Sequence, residues 1–253
     1  SRCYWRMLSA VQLSGFMTRV FVSALLFSIA ALTLAKPAAV AAVKKPNIVI
    51  IVADDLGWAD VGFHSDRIPT PHLDRIAREG VELDHFYVFP MCSPTRAGLM
   101  TGRYPIRFGM ARAVIPPWRH FGLDPGEVML PEALAKAGYR HRGVFGKWHL
   151  GGEGYYPEDQ GFDVNVAGYE AGMPFAGYFS PYDNPKLLDG PEGEHLTARL
   201  ADESIRFLEQ YRDAPFLLYL SFYTVHTPLQ APEEMANKYE KKWAATDFEG
   251  PIF

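Results

Sequence analysis

Six consecutive apolar residues, Ile48-Val49-Ile50-Ile51-Val52-Ala53, run without a polar break and stop abruptly at Asp54-Asp55-Leu56-Gly57. All but Ala53 are β-branched, and such side chains pack well on a pleated surface. A strand with one solvated face alternates polar and apolar residues. A run without alternation predicts a strand buried on both faces, as in a parallel sheet.

The downstream pattern fits that architecture. Thr70 reads as an N-cap, Pro71 as a first helical residue, and Leu73, Ile76 and Ala77 as one apolar face that Gly80 ends. Val81 to Val88 reads as a further strand. Pro94 suits a second helix start, with Thr95 to Thr101 closed by Gly102, and Pro131 to Ala137 is a third helix ended by Gly138. Tyr139 to Phe145 reads as a short strand leading into Gly146-Lys147-Trp148-His149. Residues 151–193 are rich in Gly, Pro and aromatics without a sustained period, which predicts a long structured loop region. From His195 onward, Leu196, Leu200, Ile205, Leu208 and Tyr211 track a helical face. Phe216-Leu217-Leu218-Tyr219-Leu220 then reads as another buried strand, ending at Thr224-Val225-His226. Strands alternating with helices predict an α/β fold. Three of the strands end in polar residues: Asp54-Asp55, Lys147 with His149, and His226. Open α/β sheets place their sites at that edge.

The first 43 residues are of another kind. Their only charges are Arg2, Arg6, Arg19 and Lys36; Met17-Thr18-Arg19 precedes an apolar run from Val20 to Leu34, and Ala39-Val40-Ala41 has the A-x-A pattern of a cleavage site. That is the layout of a secretory signal peptide, cleaved near Ala41, with residues before Met17 as an upstream extension. The run is shorter than the ~20 residues of a membrane-spanning helix, so no stable membrane anchor is expected. The expected destination is the periplasm or the exterior. The expected division is a leader over 1–43 and a catalytic part over 44–253. The full chain holds 25 Lys and Arg against 29 Asp and Glu; without the four leader cations, 21 face 29, a net charge of −8. With no long basic run, nucleic acid is not an expected partner. Cys3 leaves with the leader, so Cys92 has no cysteine within the mature chain to pair with.

Individually the polar residues admit plain readings. Cys92 suits a small buried apolar position. Asp54-Asp55 suits a turn or a helix start as well as a Ca²⁺ or Mg²⁺ site built from hard oxygen donors. His149 and His226 suit structural histidines, and Lys147 a solvated surface lysine. Arg96, four residues after Cys92, lies on the same side of a short helix, as a surface cation or facing a shared pocket.

Together they are more specific. Cys92-x-Pro94-x-Arg96, continued by Ala97-Gly98-Leu99-Met100-Thr101-Gly102-Arg103, resembles the signature of type I sulfatases, and Gly146-Lys147-Trp148-His149-Leu150-Gly151 resembles that family's second signature. Asn47 to Trp58 is similar to its first strand with a metal-binding aspartate pair. The resemblance runs from about Pro46 to the end of the chain. It implies the alkaline-phosphatase-like fold, a largely parallel mixed sheet flanked by helices. It also implies that a formylglycine-generating or anaerobic sulfatase-maturating enzyme oxidises Cys92 to formylglycine, an aldehyde that hydrates to a diol. One hydroxyl of the diol attacks sulfur; loss of the other's proton then expels sulfate and restores the aldehyde. By the same resemblance Asp54, Asp55 and the modified Cys92 are ligands of Ca²⁺, with Mg²⁺ as an alternative. Arg96 holds the diol, Lys147 binds sulfate and the nucleophile's oxygen, His149 takes the second hydroxyl's proton, and His226 binds sulfate or assists the leaving group.

The chain departs from the family pattern in one respect. The family uses two more metal ligands, usually an Asp-Asn pair, and a second lysine, all later in the sequence. Asp183-Asn184 lies too early, and no such pair follows His226. The expectation is an N-terminal fragment that holds Ca²⁺ poorly alone. The expected substrate is a sulfated sugar or an aryl sulfate, with Tyr178, Phe179 and Tyr182 in a candidate sugar loop or an aromatic loop core. Two other readings remain open from the sequence: a phosphate or phosphonate ester hydrolase of the same superfamily, and a non-catalytic binding protein that kept the signatures.

Overall fold

The computed structural model describes residues 44–110 and 114–246. The leader expected over 1–43, and Cys3 within it, lie outside that range. From Pro46 onward the chain forms one unit.

Its frame is a sheet of four parallel strands: β1 (Ile48–Val52), β2 (His141–Gly146), β3 (Val164–Val166) and β4 (Phe216–Ser221), in the order β1-β4-β2-β3. Ile48 pairs with Leu217 and Val52 with Ser221, while His141 pairs with Phe216 and Gly146 with Ser221. The carboxyl ends of β1, β2 and β4 are therefore level, and the residues that follow them emerge side by side. Among the described residues, five α-helices accompany the sheet: α1 (Pro71–Glu79), α2 (Cys92–Thr101), α3 (Leu130–Lys136), α4 (Leu196–Tyr211) and α5 (Glu233–Ala244).

The central strand shows why the run Phe216-Leu217-Leu218-Tyr219-Leu220 has no polar alternation: every residue of β4 is buried. Phe216, Leu218 and Leu220 face one core with Phe145, Leu196, Leu200 and Phe207. Leu217 and Tyr219 face the other, with Ala97, Met100, Val144, Trp148 and Leu150. Helix α4 covers the first face, and each fully buried Leu or Phe there stabilises the fold by roughly 1.5–3 kcal/mol.

Several sequence expectations are corrected. Strand β1 is buried on one face only: Ile48, Ile50 and Val52 pack inward, whereas Val49 and Ile51 are about half exposed. It is an edge strand of the described sheet, and α4 packs on β2 and β4. The segment from Val81 to Val88 is not a strand; no described strand pairs with it, and its apolar side chains lie open. Leu73 and Ile76 of α1 are exposed as well. On α4, Ile205 points outward and Ser204 takes the buried position, its hydroxyl donating to the Leu200 carbonyl at 2.8 Å. The loop region over 151–193 contains the short strand β3, and α5, which buries no residue, was not expected.

Candidate active site

The site is built where the level strand ends spill into loops. After β1 the chain stays zipped to the end of β4: the Asp54 amide donates to the Thr224 carbonyl at 2.9 Å, and the Val225 amide to the Asp54 carbonyl at 2.7 Å. Asp54 is buried, and Asp55 then turns outward with φ +60°. After β2, Gly146 adopts φ +100° with its Cα against the Ser221 carbonyl, where a Cβ has no room. This lets the Lys147 amide donate to that carbonyl at 2.7 Å. His149 also has positive φ, +58°. A left-handed backbone at two non-glycine residues is costly, of order 1–3 kcal/mol each, and such strain collects at functional sites.

Lys147 is fully buried, and its ammonium pairs with the Asp54 carboxylate. Arg96, 2% exposed, comes from α2. Its Nη1 donates to the Lys147 carbonyl at 2.9 Å, to the Tyr219 hydroxyl at 3.2 Å and to the Ser221 hydroxyl; its Nη2 lies 3.6 Å from Asp54 Oδ2. Arg96 is thus neither a plain surface arginine nor a direct partner of Cys92. It ties the ends of β2 and β4 together and adds a second cation to Asp54.

Cys92 is the first residue of α2, where the helix macrodipole favours negative charge. Its thiol is free, and Sγ lies 3.1 Å from His149 Nδ1. The other ring nitrogen, Nε2, lies 3.0 Å from the Ile115 carbonyl. A carbonyl only accepts, so Nε2 carries the proton and Nδ1 presents its lone pair to Cys92. Burial, with the positive charges of Lys147 and Arg96, pushes the His149 pKa down to about 3. The ring is therefore neutral near pH 7.

Ser93 secures this arrangement. Its hydroxyl donates to the His149 carbonyl at 2.9 Å and accepts from the Ile115 amide at 3.1 Å. Sequence reasoning did not single out Ser93, Ile115, Tyr219 or Ser221. Ser93 sits inside the Cys92 motif and Ser221 is the first polar residue after the β4 run, but neither identity signals its hydrogen bonds.

His226 stands further out. Its Nδ1 donates to the Thr227 carbonyl at 2.9 Å, and Nε2 lies 3.8 Å from Asp55 Oδ2. Cys92, Arg96, Lys147, His149 and Asp54 converge; Asp55 and His226 form a separate, more exposed pair beside them. The carboxylates of Asp54 and Asp55 are suitable hard donors for a divalent cation. However, Asp54 is engaged by two cations, and among the described residues no three His, Cys, Asp or Glu side chains come together. The described residues alone do not make a cation site. Tyr178 and Tyr182 are buried, so of the two readings open for this stretch these residues fit the aromatic loop core.

Among the described residues no helix is long and apolar enough to cross a membrane. The Sulfatase family profile matches residues 46–247. Mouse arylsulfatase J is 33% identical over 219 residues, covering 80% of this chain and 36% of the relative. Mouse N-acetylgalactosamine-6-sulfatase is 36% identical over 229 residues, covering 78% of this chain and 43% of the relative. The chain thus spans well under half the length of both. Among solved structures, Ps i-CgsB in complex with k-i-k-neocarrahexaose superposes with a TM-score of 0.69 at 32% identity, over 78% of this chain and 49% of that one. A protein in complex with its substrate D-glucosamine-2-N,6-O-disulfate superposes with a TM-score of 0.64 at 25% identity, over 82% of this chain and 39% of that one.

Proposed function

Because this chain belongs to the sulfatase family, we propose that it carries the nucleophile half of an exported enzyme that hydrolyses sulfate monoesters, with a sulfated sugar as substrate. The observation that carries this reading is the pairing of Cys92 Sγ with the bare Nδ1 of a neutral His149, beside the buried cations Lys147 and Arg96.

On this reading a maturating enzyme oxidises Cys92 to formylglycine, whose hydrate supplies a nucleophilic oxygen and a second hydroxyl from which sulfate can be expelled. The residues of this chain surround that position with complementary roles. His149 accepts a proton at Nδ1, its tautomer held by the Ile115 carbonyl. Lys147 and Arg96 concentrate positive charge where the sulfate must sit, in a setting where burial strengthens it. Arg96 acts in part through its grip on the Lys147 carbonyl and Ser221. His226, more exposed and beside Asp55, is assigned to sulfate binding or to the leaving group.

Asp54 and Asp55 are assigned to half of a Ca²⁺ shell, with Mg²⁺ as the alternative, and the modified Cys92 as a further ligand. The remaining ligands must come from residues other than those described. Residues 1–43 are assigned to the upstream extension and signal peptide, and 44–253 to the N-terminal part of the catalytic domain. The sugar preference is supported by the glycan-bound structural neighbours.

The test is kcat/KM of the full-length protein on matched sulfate and phosphate monoesters, with Cys92→Ala as control. The expected result is a preference for sulfate of at least ~100-fold, abolished by the substitution. Equal rates, or a preference for phosphate, would contradict the proposal.

A further inference from the structure

His149 is held by more than the Cys92 contact, and the loops that hold it carry exposed aromatics. Its Nε2 donates to the Ile115 carbonyl, its amide donates to the Tyr169 carbonyl at 3.2 Å, and Gly172 lies against its ring so closely that a Cβ there would collide with it.

The first loop is anchored at both ends. Ile115, 3% exposed, is fixed to Ser93 and His149. Leu123, fully buried, donates its amide to the Leu150 carbonyl at 2.8 Å and accepts from Gln160 at its own carbonyl. The two anchors thus grip consecutive residues, His149 and Leu150. Between them the chain turns outward, with the Arg119 amide donating to the Pro116 carbonyl at 3.1 Å. At the tip Trp118 is 79% exposed and Phe121 48%. Arg119 and His120 are exposed too, and neither pairs with an acid among the described residues.

The second loop repeats the arrangement. Two residues beyond Gly172, Pro174 is buried and its carbonyl accepts the Gly177 amide at 2.9 Å. This tight turn presents Phe175, 63% exposed. Trp118 and Phe175 are each three residues from a group that touches the His149 ring. Three residues span at most ~11 Å of chain, which is one to two sugar rings.

A solvated tryptophan on a doubly anchored loop loses packing and gains nothing for the fold. Large rigid aromatics with a polar edge are the side chains best suited to ligand contact at low entropic cost. Their flat faces suit the C–H face of a pyranose, and the unpaired Arg119 beside Trp118 suits an anionic group on the next residue of a chain.

We propose that the loop tips carrying Trp118 and Phe175 form the sugar-binding rim of the site, with Arg119 taking a neighbouring sulfate or carboxylate of a polyanionic glycan. The inference rests on the sulfatase reading for its substrate, and it names the residues that read the sugar rather than the ester. It also shifts the sugar contact away from Tyr178 and Tyr182, which are buried in the loop core.

The experiment is calorimetric titration of the full-length protein with a sulfated neocarrahexaose, alongside turnover of a small aryl sulfate by the unaltered protein. Trp118→Ala is expected to weaken hexaose binding at least ~10-fold, Trp118→Phe to retain it within ~3-fold, and Phe175→Ala to weaken it ~3–10-fold. Arg119→Ala should weaken it and reduce its salt dependence. Unchanged affinity in Trp118→Ala, as when another part of the full-length protein covers that face, overturns the proposal, as does equal loss in the Phe and Ala variants. The two readings fail separately. Absent aryl sulfate turnover counts against the sulfatase reading alone, whereas unchanged hexaose affinity counts against the aromatic rim alone.

Discussion

Cys92 Sγ lies 3.1 Å from Nδ1 of His149, a residue 57 positions later in the loop that follows β2. The contact depends on the Ile115 carbonyl, which keeps the proton on Nε2 and leaves Nδ1 bare. Backbone geometry on one side of the ring therefore decides what the other side offers to Cys92.

Ser93 is the joint that links the two backbones in this arrangement. Ser93→Ala leaves the buried Ile115 amide and His149 carbonyl each without a partner. The expected cost is about 1–3 kcal/mol. Thermal unfolding of the full-length protein should show a lowered Tm, and Ser93→Thr should recover most of it. An unchanged Tm in the alanine variant would show that the two groups find other partners.

Arg96 is expected to be among the least replaceable residues. Its removal leaves the Lys147 carbonyl and the hydroxyls of Tyr219 and Ser221 without their donor and removes one of two cations from Asp54. Breaking a buried ion network of this kind costs about 3–5 kcal/mol. Arg96→Lys should restore only part, since one ammonium cannot reproduce the planar fork. Chemical denaturation of the three proteins checks the order: wild type most stable, then Lys, then Ala.

The 253-residue chain on its own should bind Ca²⁺ weakly, with a Kd of ~1 mM or higher, because Asp54 is already neutralised by Lys147 and Arg96 and, among the described residues, no further ligands gather with Asp55. Calorimetric titration of this chain would show tight, stoichiometric binding only if ligands among residues 1–253 converge in a way the described geometry does not support.

The same chain should self-associate. Val49 and Ile51 expose one face of the edge strand β1, and Leu73, Ile76, Val81, Leu83, Phe86 and Val88 are also open. Uncovered apolar surface and an unpaired strand edge promote association. Light scattering over a range of concentrations should show a mass that rises with concentration. A constant monomer mass would indicate that these side chains are tolerated in water.

Legibility in the sequence followed from burial. Strands β1 and β4 were readable from continuous apolar runs, whereas β2, with His141 and Arg142 at its start, was read only as the short stretch between Gly138 and Gly146; β1 misled only in that its second face lies open at the sheet edge. The three residues of β3, with Asn165 in the middle, offer no periodicity to read. Helix α5 carries only a thin apolar stripe, Met235, Tyr239 and Trp243, among mostly charged residues, and buries none of it fully. The segment from Val81 to Val88 has strand-like composition but no strand beside it, and composition alone does not supply a partner. In the site, Asp54, Lys147 and His149 could be singled out because each lies within three residues of a strand's carboxyl end, and Cys92 and Arg96 because their motif is specific. Ser93, Ser221 and the Ile115 carbonyl were not, since their contribution is one hydrogen-bonding atom that many residue types could supply. His226 follows β4 at the carboxyl edge of the sheet, where the structure sets it beside Asp55.

The central claim is that Cys92 is the precursor of a formylglycine nucleophile. Peptide mass spectrometry across Cys92, on protein exported in the presence of a formylglycine-generating or anaerobic sulfatase-maturating enzyme, tests it most directly. Residue 92 is expected to carry the mass of formylglycine. A Cys92 that remains an unmodified thiol under those conditions would contradict it and favour a non-catalytic role.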